Sequence, residues 1–522
     1  MDRRSFIAGV GAATIAAGTA TACSADTAGG AGGASPAKTT GTSIRGTSAS
    51  APAANLKALA KDLDGTLVTP GQAKWAAARQ LYNTRFDSLK PTAVAYVAHP
   101  DDIRTTLAYA RAHHVPVSIR NGGHSYAGWS SGDGCLILDV SKLSGIRASA
   151  GEAVVGAGAK LIDVYRALAA KGVTIPAGSC PTVGVSGLTL GGGHGVVSRA
   201  YGLTCDSHTQ ATVITADGKQ VVANNSENKD LFWALRGAGN GNFGVVTELR
   251  FRTHPAPQAV SAYMTWPWSK ATAVLKAWQE WGPSQPDEIW SSCHMANAVG
   301  GRPTISVAAF SLGTYRELQN AVDRLADGPG GPGPASNVSL KRRSYEESME
   351  VYAGCSAFTE DAMCHLPGTT PGRSTRGALG RETYAARSDF FDRSISSAGI
   401  RAMFAKMENV TAGAGSIALT ALGGAINRVD PTATAFVHRR SRMLAQYIVS
   451  WRAGTSGSTA RGWLDSTHTA MRPYASGAAY QNYTDPTLPN WRKAYYGDAA
   501  ARLTTVKRQY DPSRFFTFPQ AL

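Results

Sequence analysis

Several signatures are missing from this chain, and each absence removes a class of function. The seven cysteines, Cys23, Cys135, Cys180, Cys205, Cys293, Cys355 and Cys364, form no C-x-x-C pair, so neither a zinc ribbon nor a thioredoxin-type redox site is encoded, and no metal centre is expected. There is no G-x-x-x-x-G-K-[ST] and no H-E-x-x-H, which argues against a P-loop nucleotidase and a zinc protease. Charged residues make up only 17% of the chain. Lys+Arg 52 against Asp+Glu 36 leaves a formal charge of +16, yet no basic block of five or more occurs. The densest spots, Lys341-Arg342-Arg343 and Arg439-Arg440, are short, so the excess is a diffuse bias rather than a nucleic-acid stripe. Glycine lacks a triplet period, and no repeat of roughly 20 to 50 residues is visible.

What remains is a chain of 522 residues, 43% hydrophobic, long enough to bury a large core across about three domains' worth of sequence. Its first residues read as an address. Paired Arg3-Arg4 precede a weakly apolar Ala/Gly/Thr stretch ending near Ala22, the pattern of a twin-arginine export signal and too poor in Leu and Ile to span a membrane. Ala20-Thr21-Ala22 is a cleavage site for free secretion. Cys23 directly after it also admits a lipid anchor on the outer face of the cell membrane, although the leucine usual three residues earlier is missing. This route moves proteins already folded, which suits a cofactor installed in the cytoplasm. Residues 23–54 read as a flexible linker.

The body opens with helix-like Leu56-Lys57-Ala58-Leu59, a strand at Thr92–Val97, a helix over Asp101–Ala110 and a strand at Pro116–Arg120, a βαβ-type start. Short strands are expected at Leu136–Val140, Val154–Val155, Ala211–Thr215 and Val245–Phe251. Beyond Ser261, candidate strands at Thr304–Phe310 and Ser416–Leu422 alternate with Ala- and Arg-rich helices in a second, mixed domain. Cys355 and Cys364, nine apart, admit two readings, a disulfide closed after export or two isolated buried thiols.

Two motifs are decoys. Gly239-Asn240-Gly241-Asn242-Phe243-Gly244 matches G-x-G-x-x-G, but helix-like Leu231–Arg236 precedes it and a strand from Val245 follows, the reverse of the dinucleotide fingerprint. Gly184-Val185-Ser186-Gly187-Leu188 lacks the closing glycine of a nucleophile elbow. Two other glycine clusters carry chemistry. In Arg120-Asn121-Gly122-Gly123-His124-Ser125, consecutive glycines after a strand let backbone N–H groups approach a pyrophosphate. Gly178-Ser179-Cys180-Pro181-Thr182-Val183-Gly184, running on to Gly191-Gly192-Gly193-His194-Gly195, is a second loop too glycine-rich for a regular element. Each holds one soft nucleophile, His124 or Cys180.

Together the stretches RNGGHSYAG, GSCPTVGVSGLTLGGGHG, DLFWALRGAGNGNFGVVT and the C-terminal YQNYTD…WRKAYYGDAAARLTTVKRQYDPSRFFTFPQ resemble the berberine-bridge-enzyme-like FAD-linked oxidases of the vanillyl-alcohol-oxidase flavoprotein group. The resemblance spans about residues 90–260 and 420–522; between them the match is one of general pattern only. It implies an α+β fold: a two-part FAD-binding domain (55–260, completed by 476–522) and a substrate domain (261–475) built on an antiparallel sheet flanked by helices. It also implies FAD bound covalently, with His124 joined to the flavin 8α-methyl and Cys180 to C6. Arg120, Asn121, Gly122, Gly123, Ser125, Gly184, Gly187 and Gly192 fall where such enzymes cradle the diphosphate and isoalloxazine, and Asp206 and Val246 fall towards the adenosine half. Val183 corresponds to a gate beside the flavin for O2.

At the reacting face the resemblance implies Tyr480 as catalytic base or base partner, with Gln446 and His194 beside the flavin and Asn482 and Tyr483 organising the pocket. Two departures stand out. His194 occupies a position that is usually tyrosine, and Leu444 one that is lysine in some relatives. A phenol with a pKa of about 10 needs a cationic or hydrogen-bonding neighbour to serve as a base near neutrality. The expected activity is that of a secreted oxidase of small molecules, taking hydride from a C–H bond of an alcohol, sugar or secondary metabolite and passing electrons to O2 to give H2O2. A dehydrogenase with another acceptor and a non-catalytic binding module are the alternatives.

Overall fold

The computed structural model describes residues 53–522. The expected export signal, its cleavage site, Cys23 and all but the end of the linker lie outside the described residues; the helix Ala53–Lys61 takes up the linker's last two positions. Among the described residues no helix is long and apolar enough to cross a membrane.

The opening βαβ unit forms as its pattern predicts. Strand Ala93–Tyr96 leads into helix Pro100–Ala112, which starts on a proline that needs no N–H partner in the first turn, and returns through strand Val117–Arg120. Both strands lie parallel to Leu136–Asp139, and Thr66–Val68 closes the small sheet in antiparallel sense. A five-stranded antiparallel sheet follows, in the order Ile146–Ala148, Glu152–Gly156, Val245–Arg252, His208–Ile214 and Gln220–Asn224. The decoy G-x-G-x-x-G indeed sits after helix Lys229–Leu235 and before a strand.

From Ala259 the chain builds a seven-stranded antiparallel sheet: Asn337–Arg343, Ala259–Trp266, Thr304–Ser311, Ile289–Ala298, Ala414–Ala421, Met443–Ser450, Tyr384–Phe391. Strand periodicity divides its two faces. Ile289, Cys293, Ile417, Leu419, Ala445 and Tyr447 pack beneath helices Ala271–Trp281, Ser397–Glu408 and Ser458–Met471, in a core that also holds Trp278, Met403 and Trp463. Their neighbours Trp290, Ala418, Thr420 and Gln446 point the other way, towards the first domain. The chain then comes home: Ala479, Tyr495, Leu503, Val506 and Phe516 join one core with Leu161, Val185, Phe232 and Leu249. Cys355 and Cys364 form a disulfide, which settles the two readings of that pair.

Candidate active site

Between the first domain and the polar face of the large sheet runs a cavity of about 350 Å³, of ordinary ligand-site size. Both glycine loops line it. The first leaves strand Val117–Arg120 and carries Asn121, Gly122, Gly123, His124 and Ser125 into the wall; the second contributes Ser179, Cys180, Val183, Gly184 and Gly187. The loops are bonded to one another and to the start of helix Leu161–Ala169, whose first N–H groups reach the carbonyls of Val183 and Pro181 at 3.0 and 3.2 Å. They touch so closely that a Cβ on Gly122 would lie 2.5 Å from the Gly184 nitrogen and from the Thr182 carbonyl oxygen.

His124 is held on two sides. Its Nε2 is 2.8 Å from Thr182 Oγ1, and its ring stacks on Tyr82 at 4.0 Å between centroids. Burial, helped by the Lys160 ammonium, lowers its pKa to about 3, so the imidazole is neutral and nucleophilic over the working range. Lys160 itself donates to Asn121 Oδ1 at 2.5 Å, which locks that side chain; burial lowers the lysine to about 8.

At the other end, Tyr480 and Tyr483 flank His194. The Tyr480 oxygen accepts from the Gly193 N–H at 2.8 Å and from Asn482 Nδ2 at 2.9 Å, while Tyr483 Oη lies 2.8 Å from His194 Nε2. Burial lowers His194 to about 4, and its Nδ1 is buried with no partner. Burial also pushes both phenols up. Gln446, on strand Met443–Ser450, donates from Nε2 to Tyr126 Oη at 2.5 Å, and Tyr126 lies parallel to Tyr483 at 5.2 Å.

Three expected cofactor contacts are placed elsewhere. Arg120 faces away from the cavity: its guanidinium is buried against Asp139, its register partner on the neighbouring strand, at 2.5 Å. Asp206 does not reach the wall either; both its oxygens are taken by Arg439, at 2.7 and 2.8 Å, and one also caps the Leu203 N–H. Gly192 backs onto the rings of Phe436 and Tyr480. Val246 does line the cavity, as do Asn482 and Tyr483. Sequence reasoning missed Tyr82, Tyr126, Trp290, Tyr384 and Thr420. Only Tyr126, two residues after His124 in the same motif, carried a local signal; the others reach the site by tertiary pairing.

The wall fits a flavin dinucleotide. A Cβ on Gly187 would meet nothing within 4 Å, so that glycine leaves an open cradle. Buried polar atoms without partners, among them Asn240 Oδ1, Gln481 Oε1 and Gln520 Oε1, belong to residues lining the same cavity and await a hydrogen-bonding ligand.

The family model described as FAD binding domain matches residues 91–224, and that described as berberine and berberine like matches residues 479–522. The chain is 31% identical to an uncharacterized FAD-linked oxidoreductase of Bacillus subtilis, YgaK, over 88% of its own length and 97% of the relative's. It is 29% identical to a chitooligosaccharide oxidase of Gibberella zeae, over 87% and 91% of the two chains. The solved structure of Physcomitrella patens BBE-like 1 superposes with a TM-score of 0.80 at 31% identity, over 90% of this chain and 98% of that one. The fold and this cavity therefore define a flavoenzyme with an α+β, two-domain architecture. The chain belongs to the berberine-bridge-enzyme-like FAD-linked oxidoreductases.

Proposed function

We propose that this protein is an exported FAD-dependent oxidase whose flavin is anchored at His124 and Cys180 and whose substrate is an alcohol, a sugar or a secondary metabolite. The carrying observation is the convergence of both nucleophile-bearing loops and the Tyr480–His194–Tyr483 group on one cavity. FAD, when bound, supplies the hydride acceptor and the route by which electrons reach O2. The residues of this chain do the rest. Asn121, Gly122, Gly123, Ser125, Gly184, Gly187 and Val246 hold the cofactor; Trp290, Thr420 and Gln446 on the large sheet face the substrate; Tyr480 takes the substrate's proton.

His124 is suited to attachment because it is neutral and fixed in orientation. Cys180 needs its sulfur as a thiolate, a state available in the reducing cytoplasm before export and before disulfides form. Val183, short and on the cavity wall, supports O2 as the acceptor over a dehydrogenase reading. The test joins attachment to turnover. Acid-precipitated holoprotein should stay yellow, with flavin on peptides from both loops, and a peroxide-coupled screen of sugars, alcohols and aromatic metabolites should give a signal. Flavin on the His124 peptide alone would limit attachment to that histidine; quantitative release of free FAD would remove both anchors. Substrate-dependent flavin reduction without peroxide would install the dehydrogenase instead.

A further inference from the structure

FAD brings a diphosphate dianion into a cavity whose wall, among the described residues, holds no Asp, Glu, Lys or Arg side chain. Backbone N–H groups of the two glycine loops can bond its oxygens, but they carry no net charge. Arg120, the cation that the local sequence offers, is matched by Asp139. Any compensating charge therefore lies behind the wall.

Lys160 stands there. It is 5% exposed, and its Nζ meets only neutral acceptors: Asn121 Oδ1 at 2.5 Å, Ser141 Oγ at 3.1 Å and the Gly158 carbonyl at 3.3 Å. Gly372 closes over it, so near that a Cβ there would lie 2.8 Å from Lys160 Cε. The neighbouring carboxylates are engaged elsewhere. Asp139 gives one oxygen to Arg120 and the other to the Ser141 N–H, and Asp163 lies 3.1 Å from His365 Nε2. Lys507, also buried, has its own acid in Asp511 at 2.7 Å. Position in the chain adds a second cost. Lys160 is the N-cap of helix Leu161–Ala169, where Ser, Thr, Asp or Asn is usual and where the helix dipole already repels a cation. A buried ammonium that breaks both rules, with no acid beside it, calls for a negative charge supplied from outside the chain.

We propose that Lys160 is a positioning residue for cofactor capture, its ammonium fixing the Asn121 side chain and setting a positive potential behind the Asn121–Gly123 loop that attracts the diphosphate of FAD. This rests on the FAD reading of the cavity for its ligand. The linkage runs through one amide. With Oδ1 held by Lys160, Asn121 turns Nδ2 to the carbonyls of Ala157 and Ala159 and to Ser186 Oγ, which ties the first glycine loop to the helix that follows the second. No covalent bond is made or broken, and the ammonium keeps its proton. Burial alone lowers that proton's pKa to about 8; an arriving dianion acts in the opposite sense.

The test separates charge from structure and needs no turnover. Flavin-free full-length protein is titrated calorimetrically with ADP, which carries the diphosphate, and with adenosine, which does not. Lys160→Met should weaken ADP about tenfold, the order for a unit charge acting across a loop at an effective dielectric constant of about 20, and leave adenosine unchanged. Lys160→Gln, neutral but still an N–H donor for Asn121, should behave the same way. The holoenzyme gives an independent reading: phosphorus NMR should show a diphosphate resonance displaced in both variants. Equal weakening of ADP and adenosine makes the lysine merely structural and overturns the proposal, as does unchanged ADP affinity. If a flavin-free variant does not fold, the holoenzyme decides, and unmoved resonances overturn it. A parent chain that takes up neither FAD nor ADP would strike the dinucleotide reading itself, a failure distinct from the other two.

Discussion

The side chain of Val183 ends at its γ-methyls where the second glycine loop enters the cavity. Leucine reaches one carbon further, into space that the proposed oxidase keeps for O2, and interiors packed to crystal-like density transmit such a change. Val183→Leu should slow reoxidation of reduced enzyme by O2 on the order of tenfold or more, while anaerobic reduction by substrate is nearly intact. Rapid mixing of reduced enzyme with air-saturated buffer checks this, and an undiminished rate denies Val183 the gating role. At this scale the sequence was informative where a residue type and its local motif coincide. His124, Cys180, Val183, Asn482 and Tyr483 all reach the cavity wall. It was less informative for Arg120 and Asp206, which their motif and the family resemblance assign to the cofactor. Arg120 and Asp206 look like ligand-binding groups in one dimension, but each has a buried partner far along the chain, Asp139 and Arg439, that no local pattern announces.

Two glycine loops meet in backbone contact, and the junction belongs to neither alone. Gly122→Ala would drive a methyl group into the Gly184 and Thr182 backbone, which a flexible side-chain tip cannot relieve. The cost of such overpacking corresponds to a melting temperature lower by about 2–10 °C, and with the loops pushed apart the fraction of covalently bound flavin should fall. Thermal unfolding and flavin absorbance after acid precipitation measure the two effects. A variant that matches the parent in both would mean the loops part without consequence. The βαβ opening and the strands around Val245 and Ala211 were legible because each alternates cleanly or follows a helix with marked ends. The large sheet was not: of its seven strands only Thr304–Ser311 and Ala414–Ala421 were anticipated. Met443–Ser450 shows why. Both of its faces are covered, so Leu444 and Ile448 read with Met443, Ala445, Tyr447 and Val449 as one apolar run broken only by Gln446, and its partners Ala414–Ala421 and Tyr384–Phe391 are set by long-range register.

For the molecule as a whole, order of events matters. The proposed route loads flavin in the cytoplasm and exports the folded product, with Arg3 and Arg4 as the recognition element. Arg3→Lys combined with Arg4→Lys should retain yellow, flavin-loaded protein inside the cell; fractionation followed by flavin fluorescence reads this directly. Undiminished export of the double variant would point to another route.

The cavity wall draws on both ends of the described fold: Asn121 and His124 near its beginning, Tyr480, Phe516 and Gln520 near its close. While the polypeptide is being synthesised, the glycine loops emerge some 350 residues before the helix Ala500–Tyr510 that seals their core. Until that helix arrives, the apolar side chains destined to meet it are exposed, and the pocket has one wall missing. Cofactor capture is thereby tied to the arrival of that late helix rather than to the appearance of the loops, and an interrupted translation product leaves its would-be partner surface open to chaperones and proteases.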